Sequence, residues 1–349
     1  MDKTMKRILP SGKDGVKLIE VPVPGLQPGM ALCRLTHSLI STGTEKSIIQ
    51  RCMGKTVDEI KEKGVLLGYT GEGVVEEVCG DIHVKPGQRV AVYGGPYVSH
   101  SEYVAVPSHL LFPCPNNLDH GLASFIGLGA ISMHGFRLGN AGLGDICLVA
   151  GAGLIGNLCA QLAIQAGCRV VISDFDEKRL TLLKNCLPPW ADYDCVTPDK
   201  VEKAIAKKSG GRGADTVYPC MSTDSSKPME QAIKVLRPGG TVSVLGVLDV
   251  RIPREEFFYK EANITISRAA GPGRYDPVYE RDGVDYPVQY VRWTEGRNLE
   301  ESLKLIYEKR LKVAPMISGF YTLDQVEELY SQIMNTPPGL GYIIQWRET

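Results

Sequence analysis

Residues 145–179 combine a glycine-rich turn with a downstream carboxylate. Gly151, Gly153 and Gly156 follow the apolar run DICLVA and precede a helical pattern, and Asp174 ends the next apolar run. In such a turn the first glycine allows a tight bend, the second lets backbone N–H groups approach a pyrophosphate, and the third lets the helix lie close to the sheet. The helix N-terminus then faces the phosphates, so the pattern predicts a dinucleotide site.

The carboxylate indicates which dinucleotide is bound. Asp174 lies about 20 residues past the glycines, the offset at which a carboxylate accepts hydrogen bonds from the adenosine ribose 2′-hydroxyl. A 2′-phosphate at that position would be repelled. We therefore predict NAD as the cofactor rather than NADP.

Composition excludes several classes of partner. The chain has 349 residues, enough for two domains, and its 39 basic and 40 acidic residues give a net charge of −1. We therefore expect neither nucleic acid nor an anionic membrane as a partner. The start is polar and no apolar run approaches the ~20 residues of a membrane span, so we expect a cytoplasmic protein. The ten cysteines form no C-x-x-C pair, which favours reduced thiols.

Hydrophobic periodicity divides the chain into regions that could position these residues. Residues 5–112 show short apolar or alternating runs between Pro and Gly turns, which predicts an antiparallel, barrel-like β region. From about Leu118 helices and strands alternate, which predicts a doubly wound parallel sheet of the Rossmann type with right-handed crossovers. Within it, LRPGG is expected to end a helix before a buried strand. After Ala270 we expect a polar, aromatic loop, helices near 298–310 and 322–335, and a final strand.

Six motifs carry a resemblance to a known family. They are GYTGEGVVEEV, VKPGQRVAV, HSEYVAVP, GAGLIG, GRGADTVY and LRPGGTVSVLGV. The chain resembles the medium-chain dehydrogenase/reductase superfamily, which includes the zinc alcohol dehydrogenases and quinone oxidoreductases. The resemblance implies an α/β fold with a GroES-like β-rich catalytic domain over 1–130 and 271–349, and an NAD-binding Rossmann domain over 131–270. It also implies homodimers that pair through the Rossmann domains, with substrate and nicotinamide in the cleft between the two domains.

The resemblance also implies a set of cofactor contacts. They comprise the glycine turn, the start of its helix, the ribose carboxylate, a neighbouring arginine and the ends of two later strands. By number, they are Gly151, Gly153, Leu154, Ile155, Gly156, Asp174, Arg179, Cys220, Gly246 and Val247.

The family's zinc ligands are missing. Its first cysteine corresponds to Thr42, or to Ser41 in an alternative alignment, and its histidine corresponds to Tyr69. The third cysteine position falls near Leu128, and the four-cysteine lobe is replaced by a short segment. Catalytic zinc needs three protein ligands, so we predict no metal and a likeness to the zinc-lacking subgroup.

Without zinc, hydroxyl groups must handle the proton. Tyr69 can donate to a carbonyl oxygen, and Thr44 matches the hydroxyl that relays the alcohol proton in the family. Glu45 and His37 could extend this relay to solvent. The alternatives are that Tyr69 fills space, Thr44 caps a turn, Glu45 is a surface carboxylate and His37 points outward. His100 is expected in a hydrogen-bonded structural role.

Residues 271–298 are rich in Arg, Tyr, Asp and Trp and are predicted to shape substrate choice. The alternative is a solvated loop or dimer contact. The leading function is an NAD-dependent dehydrogenase acting on a secondary alcohol or ketone of a small polar substrate such as a sugar, cyclitol or secondary metabolite. A zinc-free enoyl or quinone reductase and a non-catalytic dinucleotide-binding protein are the alternatives.

Overall fold

The computed structural model describes residues 3–13, 15–335 and 339–347. Two compact units are present: unit 1 comprises residues 1–127, 272–307 and 316–349, and unit 2 comprises 128–271 and 308–315. In the described residues the strands are β1 (Thr4–Pro10), β2 (Val16–Pro22), β3 (Met30–Ile40), β4 (Thr70–Cys79), β5 (Arg89–Tyr93), β6 (Tyr103–Pro107), β7 (Leu111–Pro113), β8 (Ile146–Ala150), β9 (Arg169–Ser173), β10 (Tyr193–Val196), β11 (Ala214–Pro219), β12 (Ser222–Thr223), β13 (Leu236–Val244), β14 (Val247–Leu248), β15 (Asn263–Ile266), β16 (Ile317–Tyr321) and β17 (Gly341–Gln345). The helices are α1 (Thr42–Cys52), α2 (Val57–Glu62), α3 (Ile126–Gly139), α4 (Leu154–Gln165), α5 (Glu177–Cys186), α6 (Val201–Ser209), α7 (Lys227–Val235), α8 (Arg254–Lys260), α9 (Pro277–Glu280), α10 (Glu295–Tyr307) and α11 (Val326–Asn335).

Unit 1 is built on a largely antiparallel sheet. Its strand order is β16-β17-β3-β4-β5-β7, with β6 also paired to β3, and β1 pairs with β2 in a separate ribbon. Only the β16–β17 pair runs parallel among the described pairs of this sheet. The β-rich region predicted for residues 5–112 is therefore confirmed.

Two helices interrupt that β region and were not predicted. In α1, Glu45, Ile49 and Cys52 are buried at helical spacing on one face. In α2, Thr56 accepts a hydrogen bond from the Glu59 N–H and donates its own N–H to the Glu59 side chain, a capping box. The T-x-x-E spacing was a usable signal for this helix.

Unit 2 contains a six-stranded parallel sheet in the order β10-β9-β8-β11-β13-β15. The chain starts at the central β8, runs outward to β10, then crosses back to β11. Ligands in such sheets bind beyond the carboxyl ends of the strands where the order reverses, here between β8 and β11. The predicted α/β fold class is confirmed, and the glycine-rich turn follows β8.

Some element assignments in unit 2 are corrected. LRPGG was expected to end a helix, but α7 stops at Val235 and LRPGG belongs to β13. The sequence analysis also did not predict β10, α6 or α8, which are short. No helix among the described residues is both long and apolar enough to cross a membrane.

One glycine in unit 1 provides a test of its core. A Cβ on Gly127 would lie 2.3 Å from Tyr93 Cδ2 and 3.0 Å from Thr70 Oγ1. We expect Gly127→Ala to lower the free energy of unfolding by about 1–3 kcal/mol, because overfilling a packed core forces side chains to shift. Urea denaturation of the full chain measures this. Gly43→Ala is the control, since nothing lies within 4 Å of its added Cβ and alanine favours helices. Equal stability of the two variants would contradict the expectation.

Candidate functional site

The glycine-rich turn joins β8 to α4 in unit 2. Gly151 has a φ of +97°, which glycine adopts freely, and its N–H donates to the Ser173 carbonyl at 2.7 Å. A Cβ on Gly156 would lie 1.8 Å from the Gly151 carbonyl oxygen, so only glycine fits there. Gly153 has nothing within 4 Å of where its Cβ would lie. This open, backbone-lined cradle at a helix N-terminus fits a dinucleotide pyrophosphate.

The ribose carboxylate lies beside that turn. Asp174 Oδ2 accepts a hydrogen bond from the Ala152 N–H at 2.7 Å, and Oδ1 accepts one from the Asp176 N–H at 2.9 Å. Arg179 Nη1 is 3.9 Å from Asp174 Oδ2. A carboxylate has about four lone-pair sites, so Asp174 keeps capacity to accept ribose hydroxyls.

The other predicted cofactor contacts gather at the same strand ends. The Cys220 N–H donates to the Ala150 carbonyl at 2.7 Å, which ties the end of β11 to the end of β8. A Cβ on Gly246 would lie 1.9 Å from the Met221 carbonyl oxygen, so glycine is required there too. Leu154 and Ile155 form the first turn of α4. Their cofactor contacts remain a prediction, together with that of the exposed Val247.

In unit 1, three hydroxyl groups form a hydrogen-bonded chain. The Tyr69 hydroxyl donates to Ser41 Oγ at 2.8 Å, and Ser41 Oγ donates to Thr44 Oγ1 at 3.4 Å. Tyr69 precedes β4, Ser41 follows β3 and Thr44 lies in the first turn of α1, where it is exposed. The structure thus brings Tyr69 and Thr44 together through Ser41, which the sequence analysis considered only as a metal position. Serine's preference for the residue before a helix was the available signal.

The protonation state of the phenol follows from its surroundings. Burial raises the pKa of Tyr69 to about 12, although the hydrogen bond with Ser41 opposes this. The hydroxyl therefore keeps its proton at neutral pH and is able to donate it.

The Glu45 carboxylate is buried and bonded to three groups of unit 1. Its side chain is 1% exposed, and Oε1 accepts the Ser41 N–H at 2.8 Å. His100 Nε2 lies 3.1 Å from Oε2, and the Tyr330 hydroxyl donates to the same oxygen. The surface-carboxylate alternative is wrong, and the proposed relay to solvent is corrected, because these three contacts are all with buried residues. His100 has the expected hydrogen-bonded role, with Nδ1 2.8 Å from Ser38 Oγ.

His37 is also buried rather than pointing outward. It is 1% exposed, and its Nδ1 lies 3.1 Å from Thr36 Oγ1. Burial lowers the pKa of His37, and the nearby Glu72 carboxylate partly opposes this. Its polar neighbours are Thr36, Glu72 and His120, so the predicted extension of the hydroxyl chain through His37 is corrected.

The positions of the family's zinc ligands do not fit a zinc ion. Ser41, Thr42 and Tyr69 supply neutral hydroxyl groups, whereas catalytic zinc is held by thiolates, imidazoles and carboxylates. The Tyr69 hydroxyl is already bonded to Ser41 Oγ. The third position, Leu128, has a hydrocarbon side chain and belongs to unit 2.

The predicted substrate segment reaches the neighbourhood of Tyr69. Arg274 is 5% exposed and donates a hydrogen bond to the Glu280 carboxylate. Its guanidinium carbon lies 4.1 Å from the ring centroid of Tyr275 and 5.7 Å from the ring centroid of Tyr93. The Tyr93 ring in turn meets the Tyr69 ring edge to face at 6.0 Å. A guanidinium and several aromatic rings therefore extend from the segment to the hydroxyl chain.

Comparisons with known proteins agree with this architecture. Residues 155–281 match a family model described as zinc-binding dehydrogenase. A sorbitol dehydrogenase of Mus musculus is 26% identical over 68% of this chain and 73% of its own, and an alcohol dehydrogenase of Cupriavidus necator is 24% identical over 93% and 94%. A putative zinc-binding dehydrogenase of Sinorhizobium meliloti, solved with NADP, superposes with a TM-score of 0.76 at 21% identity, covering 99% of this chain and 100% of that one.

These matches are with proteins named as dehydrogenases, and they support the predicted resemblance to the medium-chain dehydrogenase superfamily. The matched family region, residues 155–281, contains none of positions 41, 42 and 69. The description of that family as zinc-binding disagrees with the predicted absence of zinc, so zinc independence stays a prediction.

We expect NADH to bind more tightly than NADPH. Unit charges about 4 Å apart interact by roughly 1–4 kcal/mol near a protein surface, so repulsion between Asp174 and a 2′-phosphate predicts a preference of several-fold or more. Asp174→Ala should remove that preference. The control is Asp176→Ala, which removes a neighbouring carboxylate that caps α5. Dissociation constants from fluorescence titration measure this, and equal or tighter NADPH binding by the unmodified protein would refute the assignment.

Proposed function

We propose that this protein is a zinc-independent, NAD-dependent dehydrogenase. It transfers a hydride between nicotinamide and a secondary alcohol or ketone of a sugar-, cyclitol- or secondary-metabolite-like substrate. The hydroxyl chain from Tyr69 through Ser41 to Thr44 carries the proposal, because it supplies a proton path at positions where the related family has a metal ligand. In this proposal residues 131–270 bind the cofactor, while residues 1–130 and 271–349 bind the substrate and handle the proton.

The bound dinucleotide, held by the glycine turn and Asp174, supplies the hydride acceptor in the oxidation. The substrate hydroxyl gives its proton to the Tyr69 oxygen while Tyr69 passes its own proton to Ser41. Ser41 passes a proton to Thr44, whose exposed hydroxyl releases one to water. Each hydroxyl gains one proton and loses one, so the chain ends neutral and the reverse sequence serves reduction.

The aromatic and cationic side chains beside Tyr69 support a polar, hydroxylated substrate. Tyr275 is 60% exposed and rests against the Arg274 guanidinium, and Tyr93 connects this pair to Tyr69. A flat aromatic face binds the apolar face of a polyol ring, and polar tips bind its hydroxyl groups. We assign the segment 271–298 to substrate selection on this basis.

We also infer a homodimer formed through unit 2. Its edge strand β15 exposes Ile266, whose side chain is 65% exposed. Unpaired edge strands with apolar side chains favour pairing with a second copy.

Removing the hydroxyls of the chain should slow hydride transfer without weakening cofactor binding. General acid–base groups contribute about 10²–10⁴-fold, so we expect losses in that range for Tyr69→Phe and Ser41→Ala, and for Thr44→Val. Single-turnover NADH formation on a substrate found in a polyol and ketone panel measures the rate.

Thr42→Val is the matched control, because it removes a neighbouring hydroxyl of α1 that lies outside the chain. It should keep the full rate. Loss of NADH binding in the Tyr69 variant would indicate misfolding instead. Full rates in all three chain variants would show that these hydroxyls do not handle the proton.

Hydride transfer should not depend on zinc. Because hydroxyl groups replace the ligands at positions 41, 42 and 69, we expect prolonged chelation with dipicolinate to leave turnover unchanged. Steady-state NADH formation before and after dialysis measures this. Activity that falls on chelation and returns on adding zinc would refute zinc independence.

A further inference from the structure

A second group of polar side chains in unit 1 has no part in the proposed reaction. His37 in β3, Glu72 in β4 and His120 after β7 offer ligand atoms that all lie within 4.8 Å of one another. His37 and Glu72 are cross-strand neighbours in the β3–β4 pair. We propose that these three side chains bind a divalent transition-metal ion, zinc in particular, at a site separate from the hydroxyl chain.

The ligand set suits zinc. Two imidazoles and one carboxylate form a three-ligand set that zinc accepts, with a water molecule as the fourth ligand. Imidazole nitrogen also disfavours magnesium and calcium, which prefer oxygen ligands. The chemistry of the donors therefore selects a first-row transition metal over the common alkaline-earth ions.

Hydrogen bonding fixes the His37 ring in the form a metal requires. The Thr36 hydroxyl donates its single proton to the Glu72 carbonyl oxygen at 3.1 Å. Thr36 Oγ1 must therefore accept a hydrogen bond from His37 Nδ1, which lies 3.1 Å away. With the proton on Nδ1, the lone pair of a neutral His37 is on Nε2. Metal-ligating histidines are oriented by such a donated N–H bond.

Glu72 is held in place before any ion binds. It is 0% exposed, and Oε1 accepts from Arg89 Nε at 2.7 Å while Oε2 accepts from the Gly121 N–H at 2.9 Å. His120 Nδ1 lies 3.1 Å from Oε1. An ion bound here replaces the proton between His120 and Glu72. The positive charge of Arg89 repels a bound cation, so we expect this cluster to bind zinc more weakly than a closed structural zinc site does.

The cluster is open to solvent on one side. The His120 side chain is 55% exposed, whereas His37 and Glu72 are buried. An ion therefore reaches the two buried ligands past His120. The sequence analysis predicted no metal in the chain, on the ligand types at positions 41, 42, 69 and 128, and the site proposed here departs from that prediction.

The test uses the metal-stripped full chain titrated with zinc chloride by calorimetry. We expect one zinc per chain to bind saturably, and we expect His120→Ala to weaken binding at least tenfold. His83→Ala is the matched control, because His83 is exposed like His120, lies in the same unit and is bonded to the Leu111 carbonyl. It should leave zinc affinity unchanged. Circular dichroism of each variant checks that it is folded. His120 is suited to the test because an exposed side chain can be replaced with little effect on folding.

Cobalt(II) gives a second readout, since its visible spectrum reports its coordination. The cobalt spectrum of the full chain should change in His120→Ala and remain in His83→Ala. Absence of saturable zinc binding, or equal affinity in His120→Ala and the unmodified chain, would overturn the proposal. Loss of binding in Tyr69→Phe but not in His120→Ala would also overturn it, because it would place the ion at the hydroxyl chain.

Discussion

The buried carboxylate of Glu45 is the constraint on which the candidate site of unit 1 depends. It links the end of β3, the start of α1, the segment containing His100, and α11 through Tyr330. Leaving a buried hydrogen-bonding group without its partner costs about 1–3 kcal/mol, and more for a charged group, so losing any of these contacts would destabilise this part of unit 1. The carboxylate holds the Ser41 backbone N–H, and the Ser41 hydroxyl accepts the hydrogen bond from Tyr69. In the proposed mechanism Glu45 is therefore a positioning residue.

In unit 2 the corresponding constraint is backbone geometry. Gly151 is required because its φ is positive, at +97°. Gly156 is required because an added Cβ would lie 1.8 Å from the Gly151 carbonyl oxygen. Asp174 then bonds to the same turn through the Ala152 N–H. The turn and the Asp174 carboxylate are therefore one local assembly. Preorganisation of this kind reduces the ordering cost of binding.

The sheet of unit 1 separates two kinds of polar chemistry. The hydroxyl chain joins the residues around the end of β3 and the start of β4, where the related family has metal ligands. His37 and Glu72 lie further along the same two strands, and their donor atoms are those that transition metals prefer. The hydroxyl chain therefore lies at the ends of these two strands, and the candidate ion site lies within them. Substituting the exposed residue His120 would therefore change the candidate ion site without changing a residue of the hydroxyl chain.

The sequence by itself determined the dinucleotide turn, Asp174 and the order of the two fold types, because these depend on short-range spacing and periodicity. It also predicted Tyr69 and Thr44 as proton-handling groups, through their place in family motifs, and that role stays a prediction. It did not predict α1 or the strand character of LRPGG, which depend on the elements packed against them, and it missed α2 although the T-x-x-E spacing of the capping box was a usable signal. Only the tertiary structure decided that Ser41 joins Tyr69 to Thr44, that Glu45 meets Tyr330, and that His37 meets Glu72 and His120. These residues lie far apart in the chain, and their contacts arise only from strand pairing and burial.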